Sequence, residues 1–294
     1  MFPGGPPGRS ENAATVTTAT IGGLYVYPVK SCGGLYAHAA LLTPRGFQHD
    51  REWMVVEAGP DPARFLTQRE CPRMALVETG LSAAALTLAA PGMEMLEVGY
   101  AIEGASRHVV VWRDTVRAID QGSVAADWLS AFLGREVRLV RFDPDVRRLC
   151  NPQYAGDAGA HTGFADGYPL LVIGSASLED LNGRLVAHGA GMLPMNRFRP
   201  NLVVDGLEAY DEDHLATLAC GGVVLRMVKP CTRCQITTTD QATAQVGVEP
   251  LRTLAAYRNN PRLGGVTFGM NAVVAAGAGT TLGVGSEVAI AWAF

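Results

Sequence analysis

The residues best suited to chemistry lie in VKPCTRCQITTTD, residues 228–240, where Cys231 and Cys234 stand three positions apart with Arg233 between them. A CxxC pair can act as a redox dithiol or supply half of a tetrahedral zinc site. The chain has no second CxxC, and His214 and Cys220 are isolated, so local spacing assembles no set of four zinc ligands. A thioredoxin-like dithiol opens a helix, whereas Gln235–Asp240 reads as extended or turn-like. Two buried thiols of purely structural role are the third alternative. Arg233 argues against that one, because a guanidinium beside a thiol favours the thiolate, the form that ligates metals.

Cationic and hydroxyl side chains recur at turns elsewhere. YPVKSCGG, residues 27–34, puts Lys30 and Ser31 at a Gly-rich turn after a strand, which suits either an anion cradle or a solvated surface turn. GFQHDREWMVV, residues 46–56, adds Asp50 and Arg51 ahead of a strand. NRFRPNLVV, residues 196–204, adds Arg197, Arg199 and Asn201, arginines able to grip a phosphate bidentately or to pair with surface carboxylates. FADGYPLLVIG, residues 164–174, places Asp166 and Gly167 in a turn before a buried strand, where an aspartate ordinarily bonds its own backbone.

The elements that must position these groups are read from composition and pattern. The chain has 294 residues, 48% hydrophobic and 18% charged, enough to bury one large core or two medium ones. Its 24 basic and 28 acidic groups give a net charge of −4, which provides no broad cationic surface for nucleic acid. Six cysteines in such a length are too sparse for a secreted disulfide scaffold. Residues 1–18 read as a flexible Gly/Pro-rich tail without the basic and apolar regions of a secretory signal. No apolar run approaches the roughly 18 residues that span a bilayer, so a soluble, cytoplasmic protein is expected.

Short strands punctuated by glycine and proline dominate: IGGLYVYPV, REWMVVE, ALTLAA, HVVVW, EVRLVRF, PLLVIG, NLVVDG and GGVVLRMVK. Leu282, Val284, Val288, Ile290 and Trp292 read as one further strand with a buried face. Three helices interrupt this pattern. SVAADWLSAFLG places Val124, Trp128, Leu129, Phe132 and Leu133 on one stripe, ended by Gly134 in the left-handed conformation. Ser177 to Asp180 resemble a capping box before Leu181 and Leu185. Pro250 opens a third helix that buries Leu251, Leu254 and Ala255. The fold class is β-rich α+β. The long polar run of residues 142–160 reads as a linker or a functional loop.

Taken in order, YPVKSC, GFQHDREWMVV, FLTQRECPRMALV, DGYPLLVIGSASLEDLN, NRFRPNLVV, KPCTRCQITTTD, EPLRTLAAYR and FGMN resemble the molybdenum cofactor sulfurase C-terminal (MOSC) family with its N-terminal β-barrel companion. Within it the chain is similar to the mitochondrial amidoxime-reducing component and its bacterial relatives. The resemblance implies a MOSC β-barrel with flanking helices over residues 143–294, packed against a β-barrel-like domain over residues 19–142. It implies a molybdenum cofactor, Mo-molybdopterin, with Cys234 as the metal ligand and Cys231 the position with least claim to the metal. It assigns Lys30, Ser31, Arg51, Arg199, Asn201, Thr232 and Arg233 to the pterin and its phosphate. Asp166 and Gly167 would line the same cleft, and Asn271 would contact the cofactor region. Soft thiolates suit molybdenum, and an anionic pterin needs cationic and hydroxyl donors around it, so the residue types agree.

The implied activity is reduction of N-hydroxylated substrates, hydroxylamines and amidoximes. Because the chain ends at AIAWAF without a four-cysteine iron–sulfur motif, electrons are expected from a separate ferredoxin-, flavin- or cytochrome-type protein. The alternative is a non-catalytic molybdenum cofactor or sulfur carrier that uses a cysteine persulfide.

Overall fold

Strands whose alternate residues are apolar must bury one face, and seven of them do so by closing on one another in the computed structural model of the chain, which describes residues 17–100, 103–156 and 159–293. Around the barrel run Leu170–Gly174, Leu202–Asp205, Thr17–Val26, Glu287–Trp292, Leu215–Cys220, Val223–Thr232 and Gly265–Ala276. The last pairs with the first through Leu170↔Ala272 and Val172↔Met270, which completes the ring. Ile21, Leu24, Val172, Leu202, Leu225 and Ile290 are among the side chains that fill it.

A second, smaller unit follows the same logic. Trp53–Glu57, Val137–Phe142, Asp114–Asp120, Ser106–Val111 and Ala63–Arg64 form a five-stranded sheet. It curls until Phe65 bridges Val56 and the Leu66 amide donates to the Val55 carbonyl at 2.9 Å. Met54, Val109, Val140 and Phe142 fill its interior. A meander of Glu78–Leu81, Ala85–Ala89 and Leu96–Gly99 packs with a helix against its other face, around Trp53, Val55 and Leu139.

The five-stranded sheet ends at Phe142, and apart from Thr17–Val26 the barrel staves begin at Leu170. Thr17–Val26 lies between Leu202–Asp205 and Glu287–Trp292, so the large barrel takes a stave from the N-terminal part of the chain. The strand Ala39–Thr43 likewise pairs with Thr281–Gly283. Of the expected N-terminal tail, residues 1–16 lie outside the described residues.

Four α-helices are present among the described residues: α1 (Gly122–Leu133), α2 (Pro152–Ala155), α3 (Ser175–Ala187) and α4 (Leu251–Ala255). None is long and apolar enough to cross a membrane. Helix α1 ends at Gly134 with φ 68°, as its sequence predicts. Its buried stripe is Ala125, Leu129, Phe132 and Leu133, and Val124, one position and about 100° away on the helix, is exposed. Helix α3 forms the crossover between the barrel's one parallel pair, Leu170–Gly174 and Leu202–Asp205. It starts two residues before the expected capping box, and Ser177 makes no cap. In α4, Thr253 and Leu254 are buried while Ala255 is exposed, because so short a helix turns only one residue pair inward.

The C-terminal alternation is not one strand. Gly285 takes φ +83° and splits it, sending Leu282 to the Ala39–Thr43 strand and Val288 and Ile290 into the barrel. The polar run after residue 142 folds around a short hairpin of Arg148–Leu149 with His161–Thr162, on either side of α2.

Instead of capping α3, the Ser177 hydroxyl donates to Oε2 of Glu212 at 2.6 Å and accepts from the Tyr210 amide at 2.7 Å. Glu212 is fully buried and its Oε1 has no partner among the described residues. Burial pushes its carboxyl up to about 7, against the hydrogen bond from Ser177. A raised carboxyl favours the protonated fold, so this contribution to stability is full below pH 4.5 and is lost as pH rises through 7. Glu212→Gln is therefore expected to raise stability at pH 8 by on the order of 2 kcal/mol, with the gain vanishing near pH 5. Thermal unfolding at the two pH values measures it.

Candidate functional site

Loops at the ends of the barrel staves and the flank of the smaller unit line an open cleft. Every residue that the family resemblance assigns to the site lines it. Lys30 and Ser31 come from the turn after Thr17–Val26, and Arg51 from the turn before Trp53–Glu57. Asp166 and Gly167 precede Leu170–Gly174, and Arg199 and Asn201 precede Leu202. Thr232 ends its strand, Arg233 and Cys234 follow it, and Asn271 lies within Gly265–Ala276.

The backbone is strained where these side chains enter. Ser31, Arg51 and Arg199 have φ of 66°, 46° and 56°, a region that non-glycine residues rarely occupy. Each costs about 1–3 kcal/mol and persists only where its surroundings over-determine it, which happens most often at binding and catalytic sites.

Two of these residues meet on one ring. The Cζ atoms of Arg51 and Arg199 lie 4.4 and 4.3 Å from the centroid of the buried Tyr27 ring. Arg51 donates to both oxygens of Asp50, at 2.8 and 2.6 Å, and to Oδ1 of Asn201 at 3.0 Å. Asp50 in turn accepts from the Tyr27 amide at 2.9 Å. Arg199 donates to the Cys32 carbonyl at 2.6 Å but has no carboxylate partner among the described residues. Burial and the neighbouring Arg51 bring it down to about 10, so it is charged at neutral pH. A buried, uncompensated cation is costly, and an anion bound in the cleft would relieve that cost.

The Lys30 ammonium donates to the Phe164 carbonyl at 2.8 Å and pairs with Asp166. Burial lowers the lysine, and the Asp166 carboxylate works against that shift. Desolvation raises Asp166, but the charge and hydrogen bond of Lys30 prevail and hold it well below the usual carboxylate range. Asp166 thus bonds side chains across the cleft rather than its own backbone. Asn201 is spent on the scaffold: its Oδ1 accepts from Arg51 and from the Leu171 amide, and its Nδ2 donates to the Tyr25 carbonyl at 3.2 Å. Arg197 pairs with Asp240 at 2.8 Å and does not line the cleft.

The two cysteines separate by surroundings. Arg233 donates to the Cys231 sulfur at 3.0 Å and to the Phe198 carbonyl at 2.6 Å, so the expected guanidinium contact falls on Cys231 and not on Cys234. The residue between two cysteines three apart can turn toward either, and the Phe198 carbonyl decides. Cys234 is exposed, and its carbonyl is pinned by the Thr237 amide at 3.0 Å and hydroxyl at 2.9 Å in a turn of 3₁₀ helix. Its thiol is free to ligate. Among the described residues no three His, Cys, Asp or Glu side chains are grouped to hold a metal ion, so a zinc set built from protein alone is not formed there.

Sequence reasoning missed four contributors. Thr67, Arg69 and Trp112 line the cleft from the smaller unit. The first two lie inside FLTQRECPRMALV and were reachable from it, whereas no local pattern marks Trp112. Arg148 is buried behind the Asp166 loop, where it donates to the carbonyls of Gly163, Ala165 and Asp166 at 3.1, 2.6 and 2.8 Å and pairs with Asp114 at 2.7 Å.

The donor set fits a polar, anionic group that carries a thiophilic metal. Arg199 and Arg233 have no carboxylate partner among the described residues. A Cβ at Gly167 would meet nothing within 4 Å, so the wall there is open. Cys234 supplies one soft ligand. A closed β-barrel joined to a smaller curled sheet, with a cationic, thiol-bearing cleft at their seam, is the class of protein that fold and site define.

Sequence comparison agrees and is more specific. The model of the MOSC N-terminal beta barrel domain matches residues 18–136 and that of the MOSC domain matches residues 159–289; the chain belongs to the MOSC family. It is 32% identical over 262 residues to mitochondrial amidoxime reducing component 2 of Bos taurus, covering 86% of this chain and 75% of that protein. It is 33% identical over 249 residues to mitochondrial amidoxime-reducing component 1 of Mus musculus, covering 81% and 71%. Molybdenum cofactor sulfurase of Bos taurus is 29% identical over 303 residues, which cover 95% of this chain and 34% of that longer protein.

Arg148→Leu would leave three loop carbonyls without donors and is expected to lower stability by about 3 kcal/mol, measured by urea unfolding. Arg148→Lys should recover part of that loss.

Proposed function

We propose that the chain binds a molybdenum cofactor in this cleft and reduces N-hydroxylated small molecules, hydroxylamines and amidoximes, to the corresponding amines and amidines. The observation that carries the reading is Arg199, a buried guanidinium without a carboxylate partner among the described residues, in one cleft with the exposed thiol of Cys234. Similarity to two amidoxime reducing components supports the substrate class.

When bound, Mo-molybdopterin supplies the two-electron centre that removes the N–O oxygen as water, with two electrons and two protons consumed for each N–O bond. The Cys234 thiolate is the one protein ligand to the metal. Lys30, Ser31, Arg199, Thr232 and Arg233 hold the pterin and its phosphate by charge and hydrogen bonding. Arg51 and Asn201 act mainly by positioning, since Asp50 and the barrel backbone occupy their donors and acceptors. Asp166 fixes Lys30, Gly167 leaves room for the bound group, and Asn271 donates to the Lys229 carbonyl at 3.1 Å beside it. Electrons come from a separate ferredoxin-, flavin- or cytochrome-type protein, and the reaction takes place in the cytoplasm.

Protein from a cofactor-competent host should contain molybdenum and pterin by elemental and fluorescence analysis, and should convert benzamidoxime to benzamidine with a reduced viologen as donor. Cys234→Ala should lose the metal, while Cys231→Ala keeps most of it. Full molybdenum in the Cys234 variant would sink the ligand assignment. The exposure of Cys234 also suits a carrier that passes cofactor or sulfur onward. Loaded protein that shows no turnover yet activates an apo-molybdoenzyme would establish that reading instead.

A further inference from the structure

Trp112 stands at the first position of the two-residue turn between Ser106–Val111 and Asp114–Asp120, where Val111 pairs with Asp114. Its φ is 59°. Such a position favours glycine, asparagine or aspartate, and a bulky aromatic there is strained. The ring is not buried in return, for the residue is 44% exposed. Its contacts instead face the cleft. The indole N–H donates to Oδ1 of Asp166 at 3.0 Å, the oxygen that also receives Lys30. The Arg69 guanidinium lies 4.6 Å from the ring centroid, and Phe65 meets the ring edge-on at 5.3 Å.

Two further features of this wall point to a missing ligand. Arg69 has no carboxylate partner among the described residues, so a guanidinium without a counter-charge and a half-exposed indole stand together at the cleft. Thr67, two residues earlier, also lines the cleft, and its buried hydroxyl has no hydrogen-bond partner among the described residues. An indole face takes a planar conjugated group, and a guanidinium beside it takes a carboxylate or similar anion.

We propose that Trp112 and Arg69 form a substrate subsite for planar aromatic N-hydroxylated compounds that carry an anionic substituent. The proposal rests on the reading of the cleft as the site of N–O reduction. Trp112 stacks on the ring and Arg69 pairs with the anion. The strain at Trp112 is then a cost borne for placement of the ring, and Asp166 ties that ring to Lys30.

The test uses full-length protein loaded in a cofactor-competent host, with three probes: hydroxylamine, benzamidoxime and 4-carboxybenzamidoxime. Trp112→Gly suits the left-handed backbone, so it removes the ring without forcing the turn to rearrange. Arg69→Gln removes the charge. Calorimetric titration without an electron donor reads binding alone. Trp112→Gly should weaken both amidoximes about fivefold, and Arg69→Gln should weaken only the carboxylated one, also about fivefold. In turnover, the kcat/KM ratio of 4-carboxybenzamidoxime to hydroxylamine should fall in both variants through KM, with molybdenum content per chain as in the wild type.

Equal losses for all three probes, unchanged binding, or molybdenum lost in step with the variants would each overturn the subsite. The two readings fail separately. Wild-type protein that binds the carboxylated probe but never reduces it refutes the proposed reaction and leaves the subsite standing. Turnover with binding unchanged in both variants does the reverse.

Discussion

Two guanidinium groups share the buried ring of Tyr27, and among the described residues only one of them has a counter-charge. Arg51 is balanced by Asp50 at 2.6 Å, whereas Arg199, at 4.3 Å from the same ring centroid, reaches only the Cys32 carbonyl. Like charges held this close in a poorly solvated place repel, and the ring's negative face offsets only part of that. The arrangement makes sense if an anion completes it. The cleft is built around this surplus: the left-handed backbone at Ser31, Arg51 and Arg199, the amide of Asn201 and the Lys30–Asp166 pair all serve to hold cations where water would otherwise be preferred.

A closed barrel is the device that tolerates such a concentration of charge. Its staves are tied on both sides, so the loops at their ends inherit fixed starting points and can carry strained conformations without unravelling. The N-terminal stave matters most in this respect. Because Thr17–Val26 is hydrogen-bonded between strands of the C-terminal half, Lys30 and Ser31 are anchored to the same frame as Arg199 and Cys234. The smaller unit closes the cleft from the side with Thr67, Arg69 and Trp112. Arg148 makes the seam rigid by spending its donors on the Asp166 loop.

Much of this was legible along the chain. Strands with apolar alternation or continuous apolar runs, such as PLLVIG and NLVVDG, are where they were expected, since burial on one or both faces decides strand position. Errors arose where two local rules competed. Ser177 has the type of an N-cap, but the buried Glu212 carboxyl offers its hydroxyl a better partner, and the helix begins earlier. The C-terminal run has the period of one strand, yet Gly285 can turn where other residues resist it, and the barrel and the Ala39–Thr43 strand each claim a piece. Arg233 is adjacent to both cysteines in sequence, and the Phe198 carbonyl, 35 residues away, settles which sulfur it meets.

The sequence by itself determined the chemical inventory: one CxRC segment, cationic and hydroxyl residues at turns before or after strands, and enough alternating apolar residues for a β-rich core. Those are properties of residue type and local period, which need no knowledge of distant neighbours. Only the tertiary structure decided which cations keep a counter-charge, which thiol stays free, and that Trp112 joins the cleft from another barrel. Charge balance, exposure and strain are sums over groups far apart in the chain, and no single segment contains them.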